Sequence, residues 1–108
     1  MPPSVRLLQH TVRVTLFTRE NCSICEKGKK VIQEISKRRT FDYRQVDVMA
    51  SDQQQWKPLY EFDTPVLHVQ RVFHTYSKPD IATEACKLMH YFDERQVEEL
   101  IDEAEGHS

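Results

Sequence analysis

Near the start of the chain, apolar side chains recur at every second position, and directly afterwards they recur at a helical spacing. Val12, Val14 and Leu16 alternate with Arg13, Thr15 and Phe17, a period of two that predicts a short β-strand. Thr18 to Asn21 fits a turn. From Cys22 the period changes: Ile24, Gly28, Val31, Ile32 and Ile35 share one helical face, with Lys27, Lys29, Lys30, Lys37 and Arg38 mostly off it. Phe41 to Val48 (FDYRQVDV) is rich in aromatic and β-branched residues and predicts a second strand. A helical crossover between the two favours a parallel pair with a right-handed connection.

Further along, Ser51 offers an N-cap, and Trp56, Leu59 and Tyr60 lie at helical spacing as core or helix-packing residues. Pro58 keeps this helix short or broken. Val66 to Val69 reads as a third strand with Pro65 at its entrance, where proline is tolerated. Residues 71–84 lack a clear period and contain a turn at Lys78-Pro79-Asp80, with a short helical turn over Asp80 to Glu84. Cys86 to Phe92 alternates again and predicts a fourth strand, antiparallel to the third. Asp93 with Gln96 forms a capping-box pattern, Val97, Leu100, Ile101 and Ala104 mark an apolar stripe, and Gly106 ends the last helix. The order βαβαββα predicts an α/β fold, a four-stranded mixed sheet with flanking helices.

A chain of 108 residues supports one domain, read as a flexible N-terminal tail over residues 1–10 and a folded domain over 11–106. A net charge of −2 gives no electrostatic footprint for nucleic acid. The basic residues after the cysteines read as a solvated helix face. No apolar run approaches the roughly 18 residues that span a bilayer, so a soluble protein without membrane association is expected. Residues 1–13 contain Arg6 and Arg13 and no acid precedes Glu20, a composition that mildly resembles a mitochondrial presequence but runs straight into the first strand. Mitochondrial and cytoplasmic placement both remain open.

Three cysteines, an odd number, and no signal-peptide core argue against a secreted disulfide framework. In a reducing compartment, the C-x-x-C of Cys22 and Cys25 points to catalysis or metal binding. Cys22 starts a helix, where unsatisfied N–H groups and the macrodipole favour thiolate over thiol. It is the expected nucleophile, and Cys25, one turn inward, is placed to close or resolve a disulfide. Arg19 and Lys27 favour the thiolate, whereas Glu20 and Glu26 oppose it. Thr64-Pro65 is an X-Pro bond, and a cis form beside the cysteines would offer the Thr64 backbone to a substrate chain. Cys86 reads as a half-buried strand residue. An alternative zinc set joins Cys22 and Cys25 to Cys86 and His90.

The strand, C-x-x-C, basic helix and Thr-Pro together resemble the thioredoxin fold, and specifically the compact glutaredoxin-like proteins, over roughly residues 11 to 105. LFTRENCSIC is similar to the glutaredoxin active-site segment, in which a basic residue, here Arg19, stands three positions before the first cysteine. FDTPVLHV is similar to the cis-proline segment of the small subfamily found in mitochondria and fungi. The resemblance implies a thiol–disulfide oxidoreductase in which Cys22 attacks, Cys25 resolves, Pro65 is cis, Thr64 pairs with the substrate backbone and Arg19 meets a glutathione carboxylate. A monomer is expected, with no metal or tightly bound cofactor, glutathione as co-substrate, and a disulfide-containing protein or glutathione as partner. Cys22-Ser23-Ile24-Cys25 differs from the C-P-Y-C of dithiol glutaredoxins and the C-G-P-C of thioredoxins. The Gly-Gly turn that helps glutaredoxins bind glutathione is replaced by a direct passage from Phe92 to Asp93, whose expected role is N-cap. Two other readings are an iron–sulfur cluster bridged between subunits and a thioredoxin-fold binding module with little turnover.

Overall fold

Strand β1 (Gln9–Thr18) pairs on one side with β2 (Asp42–Asp47) and on the other with β3 (Val66–His74). In this computed structural model, which describes residues 9–74 and 81–106, β2 runs parallel to β1 from Arg13↔Asp42 to Thr18↔Asp47. The parallel pairing follows from the intervening helix α1 (Ser23–Ser36), which carries the chain back across the sheet. β3 runs antiparallel to β1 from Gln9↔His74 to Phe17↔Val66. Its free edge is shared by β4 (Ile81–Ala82) and β5 (Cys86–Met89), both antiparallel. Helix α2 (Lys57–Tyr60) precedes β3, and α3 (Glu94–Glu105) closes the described chain. No helix among the described residues is long and apolar enough to cross a membrane.

The mixed sheet, the flanking helices and the thioredoxin-like order are as expected, with four differences in detail. The edge strand comes in two pieces, because Thr83 breaks the ladder: its Oγ1 accepts the Arg71 N–H at 3.0 Å while its own N–H donates to Arg71 O at 2.9 Å. Ile81 and Ala82 are therefore strand and not helical turn. The Lys78-Pro79-Asp80 turn lies outside the described residues, as do residues 1–8 of the expected tail. β3 continues to His74, well past Val69, because it has β1 to pair with along its whole length. β1 accordingly begins at Gln9, inside the expected tail. Finally, α2 starts at Lys57, not after Ser51. Trp56 occupies its cap position without a side-chain cap bond, and Pro58 sits in the first turn, where its missing N–H costs nothing.

Alternation along the strands divides the core in two. Val12, Val14, Leu16, Leu67 and Val69 point to one face of the sheet, where they meet Ile32 and Ile35 of α1 and Val97 and Ile101 of α3. Phe17 and Val66, one step out of phase, point to the other face and pack with Val48, Tyr60 and Trp56. Burying each such side chain contributes on the order of 1.5–3 kcal/mol. The expected capping box is formed: Asp93 Oδ1 accepts the Gln96 N–H at 2.8 Å, and Gln96 Oε1 accepts the Asp93 N–H at 3.0 Å. Gly106 ends α3 at φ 87°, a left-handed conformation suited to glycine. Arg38 is not merely solvated, since it reaches Glu94 at 2.6 Å and Glu98 at 3.2 Å and joins α1 to α3.

Candidate active site

The β1 ladder decides what stands next to Cys22. With Phe17 opposite Val66, the turn that leaves β1 and the segment that enters β3 meet at the same end of the sheet. Asn21 turns the chain from strand into helix at φ 58°, a left-handed conformation that asparagine adopts more readily than most residues. Cys22 then takes the N-cap position of α1, and its Sγ accepts the Cys25 N–H at 3.2 Å. Cys25 lies one turn in and is 1% exposed, whereas Cys22 is half-buried. The two Sγ atoms are at disulfide distance, 2.31 Å.

Across from them the Thr64-Pro65 peptide is cis, and both residues are buried. Thr64 Oγ1 lies 3.8 Å from Cys22 Sγ as a donor, and the Thr64 carbonyl oxygen lies 4.0 Å away. The Cys22 sulfur thus faces an amide N–H, a hydroxyl and the positive end of a helix, which favour negative charge on sulfur, against the more distant Thr64 carbonyl oxygen, which opposes it. Glu26 opposes it too, but its carboxylate is paired with Lys29 Nζ at 2.8 Å.

The Glutaredoxin-like domain (DUF836) family model matches residues 13–102, which include both the cysteine pair and Thr64-Pro65. The chain belongs to the glutaredoxin-like family. Its structure is also similar to that of a mutant thioredoxin from Halobacterium salinarum NRC-1, with a TM-score of 0.61 and 17% identity over 87% of this chain and 74% of that one. At that identity the likeness establishes a shared thioredoxin fold. A cysteine pair at disulfide distance in a glutaredoxin-like thioredoxin fold supports a redox role.

Several supports of this glutaredoxin-like site are not apparent from sequence spacing. The Arg19 Nη1 donates to the Glu61 carbonyl oxygen and so holds the loop that leads into Thr64-Pro65. On the far side, the His90 N–H donates to Pro65 O at 2.8 Å, and His90 Nε2 lies 3.5 Å from Asp63 Oδ1. His90 itself adopts φ 64°, which ends β5 at Met89 and interrupts the alternation predicted through Phe92. Phe92 instead packs on α1: a Cβ built on Gly28 would lie 3.0 Å from its ring. The one sequence signal for that contact is a glycine on the apolar face of a helix.

The alternative zinc set is not assembled. Among the described residues no group of three or more His, Cys, Asp or Glu is placed to hold a metal ion. Cys86 pairs with Val69, three residues along the ladder from the Val66↔Met89 pair, which is about 10 Å at the strand rise. It is exposed and not half-buried.

His68, beneath the Thr64-Pro65 segment in sequence and on the second core face, is 8% exposed. Its Nε2 is 2.9 Å from Tyr60 Oη, and its ring meets those of Phe17 and Trp56. Burial, assisted by Lys87 directly across the ladder, pushes its pKa from 6.5 down to about 4. Below pH 6.5 the unfolded chain therefore takes up a proton that the folded chain refuses. The stabilisation from keeping His68 neutral is complete above pH 6.5 and is lost progressively as pH falls toward 4, up to about 3 kcal/mol. Urea unfolding at pH 7 and pH 4.5 should show this component in wild type and not in His68→Gln; an equal acid loss in both proteins would refute it.

Proposed function

We propose that this glutaredoxin-like protein is a thiol–disulfide oxidoreductase working through Cys22 and Cys25. The observation that carries the reading is the Cys22 sulfur at the N-cap of α1, with Cys25 Sγ within bonding distance and Thr64 beside it. In the reduced protein, the Cys22 thiolate attacks one sulfur of a substrate disulfide. That S–S bond breaks, the second substrate sulfur leaves as a thiolate and takes a proton from solvent, and a mixed disulfide to Cys22 remains. Cys25, deprotonated, then attacks Cys22 Sγ and expels the first substrate sulfur. Two electrons have passed to the substrate, and the protein holds the Cys22–Cys25 disulfide until a thiol reductant renews it.

Thr64 lies beside the Cys22 sulfur and offers its backbone to the substrate, the cis Pro65 bond sets that segment's course, and Arg19 fixes the loop that leads into it. The chemistry requires no tightly bound cofactor and operates in a monomer. A reducing compartment, mitochondrial or cytoplasmic, suits the renewal step. The FDTPVLHV segment supports placement among the small glutaredoxin-like proteins of mitochondria and fungi. As a test, reduced Cys25→Ser protein mixed with a disulfide substrate should accumulate a mixed disulfide, mapped by mass spectrometry to Cys22. An adduct on Cys86 instead, or none, would count against the assignment.

A further inference from the structure

We infer that the substrate of this site is a disulfide within a polypeptide, docked through apolar side chains next to its cysteine, in preference to a glutathione disulfide. The inference rests on the thiol–disulfide reading above and narrows its substrate class.

Exposed apolar side chains stand on both segments that flank Thr64-Pro65, interleaved with the half-exposed, mutually paired Asp63 and His90. Phe62, two residues ahead of Thr64, is 85% exposed, and Leu59 in the preceding helix is 59% exposed. Across the ladder, Met89 pairs with Val66 and is 42% exposed. Tyr91, following the His90 that is bonded to Pro65 O, is 69% exposed. Single exposed apolar residues are ordinary, but aromatic and methionine side chains gathered on the segments that border one peptide bond mark an interaction surface. The occupant is set by what lies at its centre. A dithiol requires a disulfide, and an extended chain beside Thr64 can pair main chain to main chain while its side chains cover Phe62 and Tyr91.

Glutathione needs something different. It is a small, net-negative tripeptide with two carboxylates, and it is held by cations and anion-binding backbone. Here the Arg19 guanidinium already donates to Glu61 O. The hollow beside it is lined by Glu20, Glu26 and Asp47, with Lys29 taken by Glu26. The other seat for a carboxylate, the N-terminus of α3, is filled from within: Asp93 Oδ1 already accepts the Gln96 N–H. Both anion seats are thus partly engaged by the chain's own groups, and the first is bordered by three carboxylates, while the apolar side chains stand exposed.

A single-turnover measurement separates the two substrates and needs no added reductant. Reduced protein is mixed with a disulfide-bridged peptide bearing Phe and Leu beside its cysteines, with the same peptide bearing Ser there, and with oxidised glutathione. The apolar peptide should react about tenfold faster or more than either other substrate. The Phe62→Ser/Tyr91→Ser double variant, altered only at exposed positions, should lose most of that advantage, and Tyr43→Ser, exposed on β2, should keep it. Faster reaction with oxidised glutathione, or an apolar preference intact in the double variant, overturns the inference and leaves the oxidoreductase reading standing. Absence of exchange with all three removes both.

Discussion

Replacing Cys22 by serine should reduce disulfide exchange to the rate of the protein-free reaction, while Cys86→Ser should exchange at the wild-type rate. The nucleophile in exchange is a thiolate, and a serine hydroxyl neither ionises near neutral pH nor forms a stable bond to sulfur. Cys22 alone stands where the structure concentrates donors on sulfur: the Cys25 N–H at 3.2 Å, the Thr64 hydroxyl at 3.8 Å and the start of α1. Cys25 is 1% exposed, so its sulfur is shielded from an incoming disulfide and cannot take over the first step. Cys86 is open to solvent but has no helix terminus behind it. Reduction of a chromogenic disulfide by each variant, with melting temperatures as a check on folding, makes the comparison; substantial activity in Cys22→Ser would falsify the mechanism.

Leu67→Ala should cost about 2–5 kcal/mol, a large part of the ~5–15 kcal/mol that holds a small domain together. Leu67 is fully buried near the start of β3, opposite Leu16 of β1 on one side and Leu88 of β5 on the other. Its side chain belongs to the cluster joining β1 with α1 and α3. Truncation leaves a cavity beneath the strand that sets the position of Pro65, two residues away, and the sheet on both sides limits collapse into it. Leu59→Ala, at a position 59% exposed, should stay within about 0.5 kcal/mol. Urea unfolding of the two variants reads the difference, and near-equal midpoints would show that the cluster is not the source of stability.

Much of this molecule is written in local pattern. A period of two places β1, a period near 3.6 places α1 and α3, Asp93 and Gln96 cap the last helix, and C-x-x-C at a strand-to-helix junction marks the candidate redox pair. Irregular stretches were less legible. β3 beyond Val69 carries Gln70 and Arg71, whose polarity hides a strand that exists because β1 is there to pair with it. The Thr83 interruption substitutes a side-chain hydroxyl for a ladder acceptor, which no periodicity reveals. α2 is too short for a period to register, and the expected cap at Ser51 had no helix to follow it.

By itself, then, the sequence determined the regular elements, the cysteine pair and the Thr64-Pro65 that accompanies it, because these depend on neighbours within a turn or a strand. Tertiary structure alone decided which distant groups complete the site. The Phe17↔Val66 register brings Thr64 to Cys22, and the loop before Pro65 takes up Arg19 through a carbonyl that any residue at position 61 would have presented. It likewise left Cys86 and His90 out of a metal site, since the β3–β5 register spaces them along the strand. The physical reason is the same in each case: register is set by the burial of a whole strand face, a property of the assembled sheet and not of any segment.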